Sequence, residues 1–175
     1  MSAQTDSNSP PRHGWVRVIA VGRNPRATLV RILILVATCF VVFKFILLPL
    51  RVTGISMEPT CKDHSINFLN RLDYLAHEPQ RGDVVGIRFA GPHVVLMKRI
   101  VGLPGETIAF VNGEIFINGA PLAEPYEKNP CDWTLPPEKI GPNEYFVVGD
   151  NRTMPPQDHV FGRVERERIL GKVLL

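Results

Sequence analysis

The chain has no internal repeat and no second stretch with the size of a further domain. Hydrophobic residues make up 45% of its 175 residues, which is too many for a chain disordered throughout and too few for a polytopic channel. The net charge is only +3, which gives no indication of nucleic-acid binding. We therefore expect one globular domain and an accessory segment.

Acidic residues are nearly absent from the first part of the chain. Asp6 alone precedes the long apolar stretch, whereas the basic residues there include Arg12, Arg17, Arg23, Arg26 and Arg31. Positive charge before a membrane span is typical of a cytoplasmic N-terminus. The first 15 residues are polar, interrupted by proline and without an apolar period. We expect a largely disordered cytoplasmic tail over residues 1–26.

One long apolar run extends from Ala27 to Leu50. As a helix it could cover the roughly 30 Å of a bilayer core. Arg31 lies at its entrance and can reach water, but Lys44 must extend to the far interface or face a partner. A cleaved signal or a buried core helix is the alternative, yet no small-residue cleavage site follows Leu50. The run predicts a single-pass anchor over residues 27–50 and an extracytoplasmic domain over residues 51–175.

The cysteines are few, and two of them would lie in that outer domain. Cys39 falls within the apolar run, whereas Cys61 and Cys131 follow it. A disulfide could persist outside the cytoplasm. Sequence spacing gives no distance, so a bridge between Cys61 and Cys131 and two free thiols both remain open.

Beyond Arg51 the pattern changes to short β-rich runs separated by glycine and proline. The runs are SINFLN, DVVGIRF, HVVLMKRIVG, TIAFV, EIFING, EYFVV and ILGKVLL. Asn112-Gly113 supplies the positive φ angles of a two-residue hairpin turn. Residues 119–143 are rich in proline, which favours a loop or lobe over a central strand. The pattern predicts an all-β domain.

A serine and a lysine have surroundings suited to chemistry. Ser56 follows the apolar run in a loop framed by glycine and proline, although such serines mostly hydrogen-bond their own loop. Strand alternation places Lys98 on one face with Val94, Leu96 and Ile100. Desolvation there would lower the pKa of the lysine and make it a usable base. The alternative is a lysine that reaches water or pairs with Glu106.

Five segments, taken in order, carry a resemblance to one family. They are GISMEPT, RGDVVGIRF, MKRIVGLPGE, GDNR and FGRV, and they span the domain from the anchor to Val164. The chain resembles the type I signal peptidases, Ser-Lys proteases that remove signal peptides from exported proteins. The resemblance implies a signal-peptidase-like β fold with one N-terminal transmembrane helix, and no cofactor or metal. It makes Ser56 the nucleophile and backbone oxyanion donor, and Lys98 the general base.

The resemblance also suggests supporting residues, and here the chain departs from the family pattern. The supporting set is Asp150, Arg152, Thr153 and Asp158. Pro155 stands where the family has the serine that helps to orient the lysine, and Gly54 stands where some members offer an oxyanion hydroxyl. We expect Thr153 or a backbone carbonyl to orient Lys98 instead. We expect Asp158 to bind Arg152, Arg163 or His159 and not Lys98.

The implied partners are signal peptides of exported preproteins and membrane lipid. The substrate would lie as an extended strand on a sheet edge, with Ile87, Val94 and Leu96 as candidate lining residues and small side chains before the cut. Exposed apolar surface is expected near the active site. The implied location is a bacterial plasma membrane, with the mitochondrial inner membrane as the alternative. A dedicated peptidase for one secreted substrate and a non-catalytic, membrane-tethered peptide-binding domain remain open, while the anchor argues against a soluble self-cleaving repressor.

Overall fold

The computed structural model describes residues 24–90, 94–126, 129–155 and 162–175. Most of the tail predicted at residues 1–26 lies outside these ranges, as does the predicted supporting residue Asp158 with its neighbours Gln157 and His159. Backbone contacts divide the chain into two units, Met1–Val42 and Phe43–Leu175.

The described part of the first unit is an apolar helix, α1, over Pro25–Val41. The Asn24 side chain caps it by accepting a hydrogen bond from the Arg26 N–H at 3.2 Å, and Pro25 occupies the first turn, where its missing N–H costs nothing. The large apolar side chains of α1 are exposed. With the turn that follows, the segment Arg26–Ile46 is long and apolar enough to cross a membrane.

The predicted anchor is longer than the helix. Helical geometry continues through a π-helical turn at Val42–Ile46, and a strand, β1, follows at Leu47–Arg51. Residues 47–50, which we expected in the anchor, therefore pair with a second strand. Pro49 is tolerated because β1 lies at the edge of its sheet, where a missing N–H need not break a ladder.

The second unit contains two antiparallel sheets. Within the described residues the larger has the order β1-β2-β11-β3-β4-β9-β10 and the smaller has the order β7-β6-β5-β8. The strands after β1 are β2 Ile66–Asn70, β3 Val84–Ala90, β4 Val94–Gly102, β5 Thr107–Val111, β6 Glu114–Ile117, β7 Ala120–Pro121, β8 Leu135–Lys139, β9 Glu144–Val148, β10 Gly162–Glu165 and β11 Ile169–Leu174. A short helix, α2, covers Asp73–Ala76, and a 3-10 turn covers Arg166–Arg168.

The sheets agree with the predicted all-β domain. Asn112 and Gly113 have φ angles of 49° and 84°, and they join β5 to β6 as a hairpin. The proline-rich segment 119–143 is more ordered than a simple loop, because it supplies β7 and β8. Both strands lie at edges of the smaller sheet, so the segment contributes no central strand.

The core places β4 between apolar clusters on its two faces. Met97 belongs to the cluster with Met57 and Leu69, and Ile100 belongs to the cluster with Val85 and Val147. This confirms the alternation predicted for β4. Cys61 and Cys131 do not form a disulfide, and both thiols are free. Cys61 is buried beside Met57, whereas Cys131 packs against a different apolar cluster.

Candidate active site

Ser56 lies in the loop that joins β1 to β2. The base of the loop is closed by two backbone hydrogen bonds, Val52 N–H to Ser65 O at 2.9 Å and His64 N–H to Val52 O at 3.1 Å. Met57 is almost completely buried and holds the loop against the core. Ser56 itself is half-buried. The side chain that follows the serine therefore fixes the loop from inside and leaves the serine at the surface of the domain.

Gly54 is required by its backbone conformation. Its φ angle is +105°, a value that side chains of L-residues rarely adopt, although a Cβ there would meet only open space. The Gly54 N–H donates to Asp63 Oδ1 at 2.9 Å, and this bond is the chief cause that lowers the pKa of Asp63. A serine at position 54 would be strained in this loop. The hydroxyl that some members of the resembled family offer there has no easy equivalent.

The peptide between Ile55 and Ser56 is held by Asn151. Asn151 Nδ2 donates to Ile55 O at 3.1 Å, and the Asn151 backbone N–H donates to Ser56 O at 3.1 Å. Within the described residues the Ser56 N–H has no acceptor, so it can donate to an oxyanion. Asn151 belongs to the GDNR segment, but it was not among the supporting residues predicted from the sequence.

Lys98 is buried in the middle of β4, opposite Val85 of β3. Its exposed fraction is 3%, and in the described ranges it makes no ion pair or hydrogen bond. Desolvation lowers the pKa of Lys98 to about 8, against the opposing charge of Asp150. The alternative partner Glu106 pairs with Arg81 at 2.6 Å instead. The burial predicted for Lys98 is confirmed, and its role as a base stays a prediction.

Thr153, one of the two groups predicted to orient Lys98, is bonded elsewhere, and the other, a backbone carbonyl, stays a prediction. Thr153 Oγ1 donates to Asn151 Oδ1 at 2.7 Å, and neither Thr153 nor a backbone carbonyl among the described residues accepts a hydrogen bond from Lys98. Thr153 acts on Asn151 and not on the lysine.

Asp150 is fully buried and bonded to neighbours of Lys98. Its carboxylate accepts from Arg99 Nε at 2.8 Å, from Arg99 Nη2 at 2.6 Å and from the Thr60 hydroxyl. Arg99 Nη1 donates to Gly82 O at 2.7 Å. Asp150 thus ties the serine loop, through Thr60, to the strand that carries Lys98.

The other predicted supporting residue, Arg152, has an acidic partner from the proline-rich segment. Arg152 Nη2 lies 2.8 Å from Glu124 Oε1, and both side chains are buried. The Tyr126 hydroxyl also donates to Glu124, and the Tyr126 ring centroid lies 3.8 Å from the Arg99 Cζ. Glu124 and Tyr126 were missed because their segment has weak patterning; an acidic and an aromatic residue flanking Pro125 were the available signal.

The arginines named as candidate partners of Asp158 have other described partners. Arg152 binds Glu124, and Arg163 Nε binds Glu138 Oε1 at 2.7 Å. Asp158 lies outside the described residues, so its own contacts stay a prediction.

A cleft of about 470 Å³ opens beside Ser56. Arg51 is the one charged side chain among the described residues that line it, and the others are Pro49, Leu50, Val52, Thr53, Gly54, Ser56, Met57, Val95, Leu96 and Met97. Leu96 lines the cleft as predicted, whereas Ile87 is buried in the core. The structure does not describe the side chain of Val94.

Two strands border this cleft with edges that pair with no other described strand. β1 is the terminal strand of the larger sheet, and β9 pairs with β4 only at Arg99–Gly102. The part of β4 before Arg99 therefore has a described partner, β3, on one side alone. An extended peptide can add its backbone hydrogen bonds to such edges.

Apolar side chains are exposed on the same part of the domain. Ile55 directly precedes the serine and is 46% exposed, and Ile66, which opposes Arg51 across β1 and β2, is 67% exposed. This agrees with the apolar surface expected near the active site. In the described residues no group of three or more His, Cys, Asp or Glu side chains could hold a metal ion.

Comparison with known proteins gives one consistent result. The family model described as signal peptidase, peptidase S26, matches residues 26–175. Signal peptidase I of Leptolyngbya laminosa is 33% identical over 128 residues, covering 69% of this chain and 63% of that protein. Signal peptidase I V of Bacillus subtilis is 33% identical over 138 residues, covering 70% of this chain and 81% of that protein.

A solved structure gives a more partial match. The crystal structure of a signal peptidase I from Enterococcus faecalis is 27% identical, with a TM-score of 0.44, and the match covers 56% of this chain and 98% of that one. The chain spans 63% of the length of the Leptolyngbya laminosa protein and 58% of that of the probable signal peptidase I-2 of Synechocystis.

Proposed function

This chain belongs to the peptidase S26 family of signal peptidases, and we propose from that premise that it is a membrane-anchored serine endopeptidase that removes signal peptides from exported preproteins. One observation carries the proposal. A half-buried serine on a fixed loop borders an apolar cleft, and the strand that walls this cleft buries a lysine with a lowered pKa and no ion pair among the described residues. Ser56 and Lys98 are the proposed nucleophile and base.

The proposed reaction has two half-reactions. Ser56 Oγ attacks the scissile carbonyl while its proton moves to Lys98, and the Ser56 N–H binds the resulting oxyanion. Collapse breaks the C–N bond, and Lys98 returns the proton to the leaving amine. Lys98 then takes a proton from a water molecule, which attacks the acyl-enzyme, and the Ser56 N–H again binds the oxyanion. Collapse breaks the bond between Ser56 Oγ and the acyl carbon, Lys98 returns the proton to Ser56 Oγ, and the signal peptide leaves as a carboxylic acid. Neutral lysine is needed, and at a pKa of about 8 a useful fraction is neutral near pH 7.

The proposed substrate is an extended peptide in the cleft between β1 and the unpaired part of β4. The lining is mainly apolar, which suits small uncharged side chains before the cut, as in the Ala-x-Ala pattern of signal peptides. Arg51 adds one positive charge to an otherwise uncharged wall. A polar or acidic residue at one substrate position would be favoured there.

The proposed topology has residues 1–26 in the cytoplasm, an anchor that begins near Ala27, and the β domain outside a bacterial plasma membrane. The arginines before the apolar helix support this orientation. External protease applied to intact spheroplasts should digest the β domain and leave the tail intact. Protection of the β domain would overturn the topology. The exposed residues Ile55 and Ile66 would face lipid headgroups.

The decisive test of activity uses the full chain in detergent with a radiolabelled preprotein. Cleavage at the signal-peptide junction is expected, and the Ser56→Ala variant should not cleave. A serine-directed acylating inhibitor should label the wild type at Ser56 and should not label the variant. Peptide binding without labelling or cleavage would instead favour the non-catalytic peptide-binding domain. Preproteins that accumulate after depletion would distinguish a general peptidase from a dedicated one.

A further inference from the structure

Asn151 makes contacts that the proposed dyad does not explain. It is 4% exposed, and both its side chain and its backbone donate to the serine loop. Its Nδ2 binds the carbonyl of Ile55, which is 96 residues away in the sequence. The question is what this long-range bond does for Ser56.

The bonded carbonyl and the Ser56 N–H belong to the same peptide unit. That unit is planar, and its C=O and N–H point in opposite directions when the bond is trans. Fixing the Ile55 oxygen on Asn151 therefore fixes the direction of the Ser56 N–H. The second bond, from the Asn151 N–H to Ser56 O, holds the next peptide unit in the same way. Both planes that flank the serine are thus set by one residue.

The amide of Asn151 is itself oriented by two neighbours. Its Oδ1 accepts from Asn129 Nδ2 at 3.1 Å and from the Thr153 hydroxyl at 2.7 Å. With the oxygen occupied by donors, the NH₂ group is left to face Ile55 O. Asn129 also donates its backbone N–H to Asp150 O at 3.2 Å. The proline-rich segment therefore reaches the serine loop through Asn129 and Asn151.

We propose that Asn151 is a positioning residue for the oxyanion donor, with Thr153 and Asn129 holding its amide in the active orientation. The proposal rests on the proposed role of Ser56. An oxyanion donor is useful only if it is directed at the transition-state oxygen before reaction. The Ser56 N–H has no described acceptor that would hold it, so the Ile55 carbonyl is the point at which its peptide plane can be fixed.

The test is the Asn151→Asp variant, which keeps the size and the acceptor oxygen for Asn129 and Thr153 but replaces the donor to Ile55. We expect kcat to fall by about 10- to 100-fold with KM changed less than threefold, since loss of a complete oxyanion donor costs roughly 100- to 1,000-fold. Affinity for a peptide boronate, which forms a tetrahedral adduct, should fall in parallel. Because the new carboxylate would raise the pKa of Lys98, as the charge of Asp150 does, kcat is compared on the plateau of the pH profile, above the shifted acid limb.

Three further variants keep the outcome interpretable. Thr153→Val should give a smaller loss of kcat in the same direction, and Asn143→Ala, whose residue lies outside this network, should leave kcat unchanged. A kcat within threefold of wild type in folded Asn151→Asp, or a loss confined to KM, would overturn the proposal. Equal activity of Ser56→Ala and wild type would instead refute the proposed nucleophile, so the two failures are separable.

Discussion

Strand β4 buries two adjacent cations in opposite ways. Lys98 has no described ion pair, and desolvation lowers its pKa to about 8. Arg99 is equally buried but is bonded to Asp150 by two nitrogens, to Gly82 O by a third, and stacked on Tyr126. Burial would lower the pKa of Arg99, but the hydrogen bonds and the charge of Asp150 outweigh it, and the pKa of Arg99 is raised.

The difference follows from the chemistry of the two side chains. A lysine can tolerate burial by losing its proton, whereas an arginine stays protonated and must be paired. Among the described residues Lys98 therefore has no hydrogen-bond partner, whereas Arg99, Asp150 and Arg152 each have at least two. Lys98 can therefore lose or gain a proton, whereas Arg99 and Asp150 hold β4 and the serine loop in place.

Replacing Lys98 with arginine should have the largest effect on activity. We expect Lys98→Arg to lose at least about 1,000-fold in kcat/KM, because a guanidinium cannot accept the serine proton. Exposed Lys62→Arg is the matched control and should be unaffected. Cleavage of a fluorogenic signal-peptide substrate provides the measurement. In the wild type, kcat/KM should fall about tenfold per pH unit below the Lys98 pKa of about 8. Near-normal turnover by Lys98→Arg would show that Lys98 is not the base.

Breaking the ion pair between Asp150 and Arg99 should lower the free energy of unfolding. Asp150→Ala leaves the buried Arg99 without its counter-ion, and we expect the free energy of unfolding to fall by about 3–5 kcal/mol. Adding Arg99→Leu should recover part of this loss, because it removes the uncompensated charge. Urea denaturation followed by tryptophan fluorescence measures both. Since Asp150 raises the pKa of Lys98, any residual activity of Asp150→Ala should have its acid limb at lower pH. Additive losses in the double variant would contradict the pairing argument.

Replacing Lys98 should raise the free energy of unfolding, whereas replacing Asp150 should lower it. The pKa of Lys98 is lower in the folded chain, at about 8, than its ordinary value of 10.5. Unfolding therefore takes up a proton between these pH values, and the contribution of Lys98 to stability rises with pH across that window. Lys98→Met should be inactive, yet at pH 7 it should gain up to about 3 kcal/mol in the free energy of unfolding. The gain should decrease toward pH 10.5.

Lys172→Met is the control for that prediction. Lys172 Nζ binds Asp83 Oδ1 at 2.7 Å, and this hydrogen bond raises the pKa of Lys172. Its replacement should lose stability at pH 7, so the two lysines should respond with opposite signs. If Lys98→Met were less stable than the wild type at pH 7, burial of Lys98 would not carry the cost assigned here.

Sequence patterns predicted the features that depend on local periodicity. The alternation of β4 and the Asn112-Gly113 turn follow from backbone geometry over a few residues, and both were correct. The predicted anchor runs past the end of helical geometry because Leu47–Leu50 continues the apolar run, and composition does not distinguish a membrane helix from an edge strand.

The partners of the site were harder to predict. Lys98 could be recognised from its own strand, but the choice of Glu124 for Arg152 and of Ile55 for Asn151 depends on how distant segments meet. Such a choice leaves no local period in the sequence. The resemblance identified Asp150 and Arg152 as supporting residues but not what they bind.

The smallest expected effect concerns Arg51, which lines the cleft beside Ser56. Arg51 is the one charge among the described residues that line the cleft, and it makes no ion pair with any of them. An acidic substrate side chain near it should gain the roughly 0.2–1 kcal/mol of an exposed ion pair, which is about a 1.4- to fivefold effect. Arg51→Glu should therefore raise KM for a substrate with aspartate at one position near the cut, lower it for the lysine counterpart, and leave kcat unchanged.

Exposed Arg71→Glu carries the same charge change outside the cleft lining and should not discriminate between the two substrates. Scanning aspartate and lysine through the substrate measures the effect, which should shrink in 0.5 M salt through screening. Equal preferences in the two variants would mean that the cleft does not read charge through Arg51.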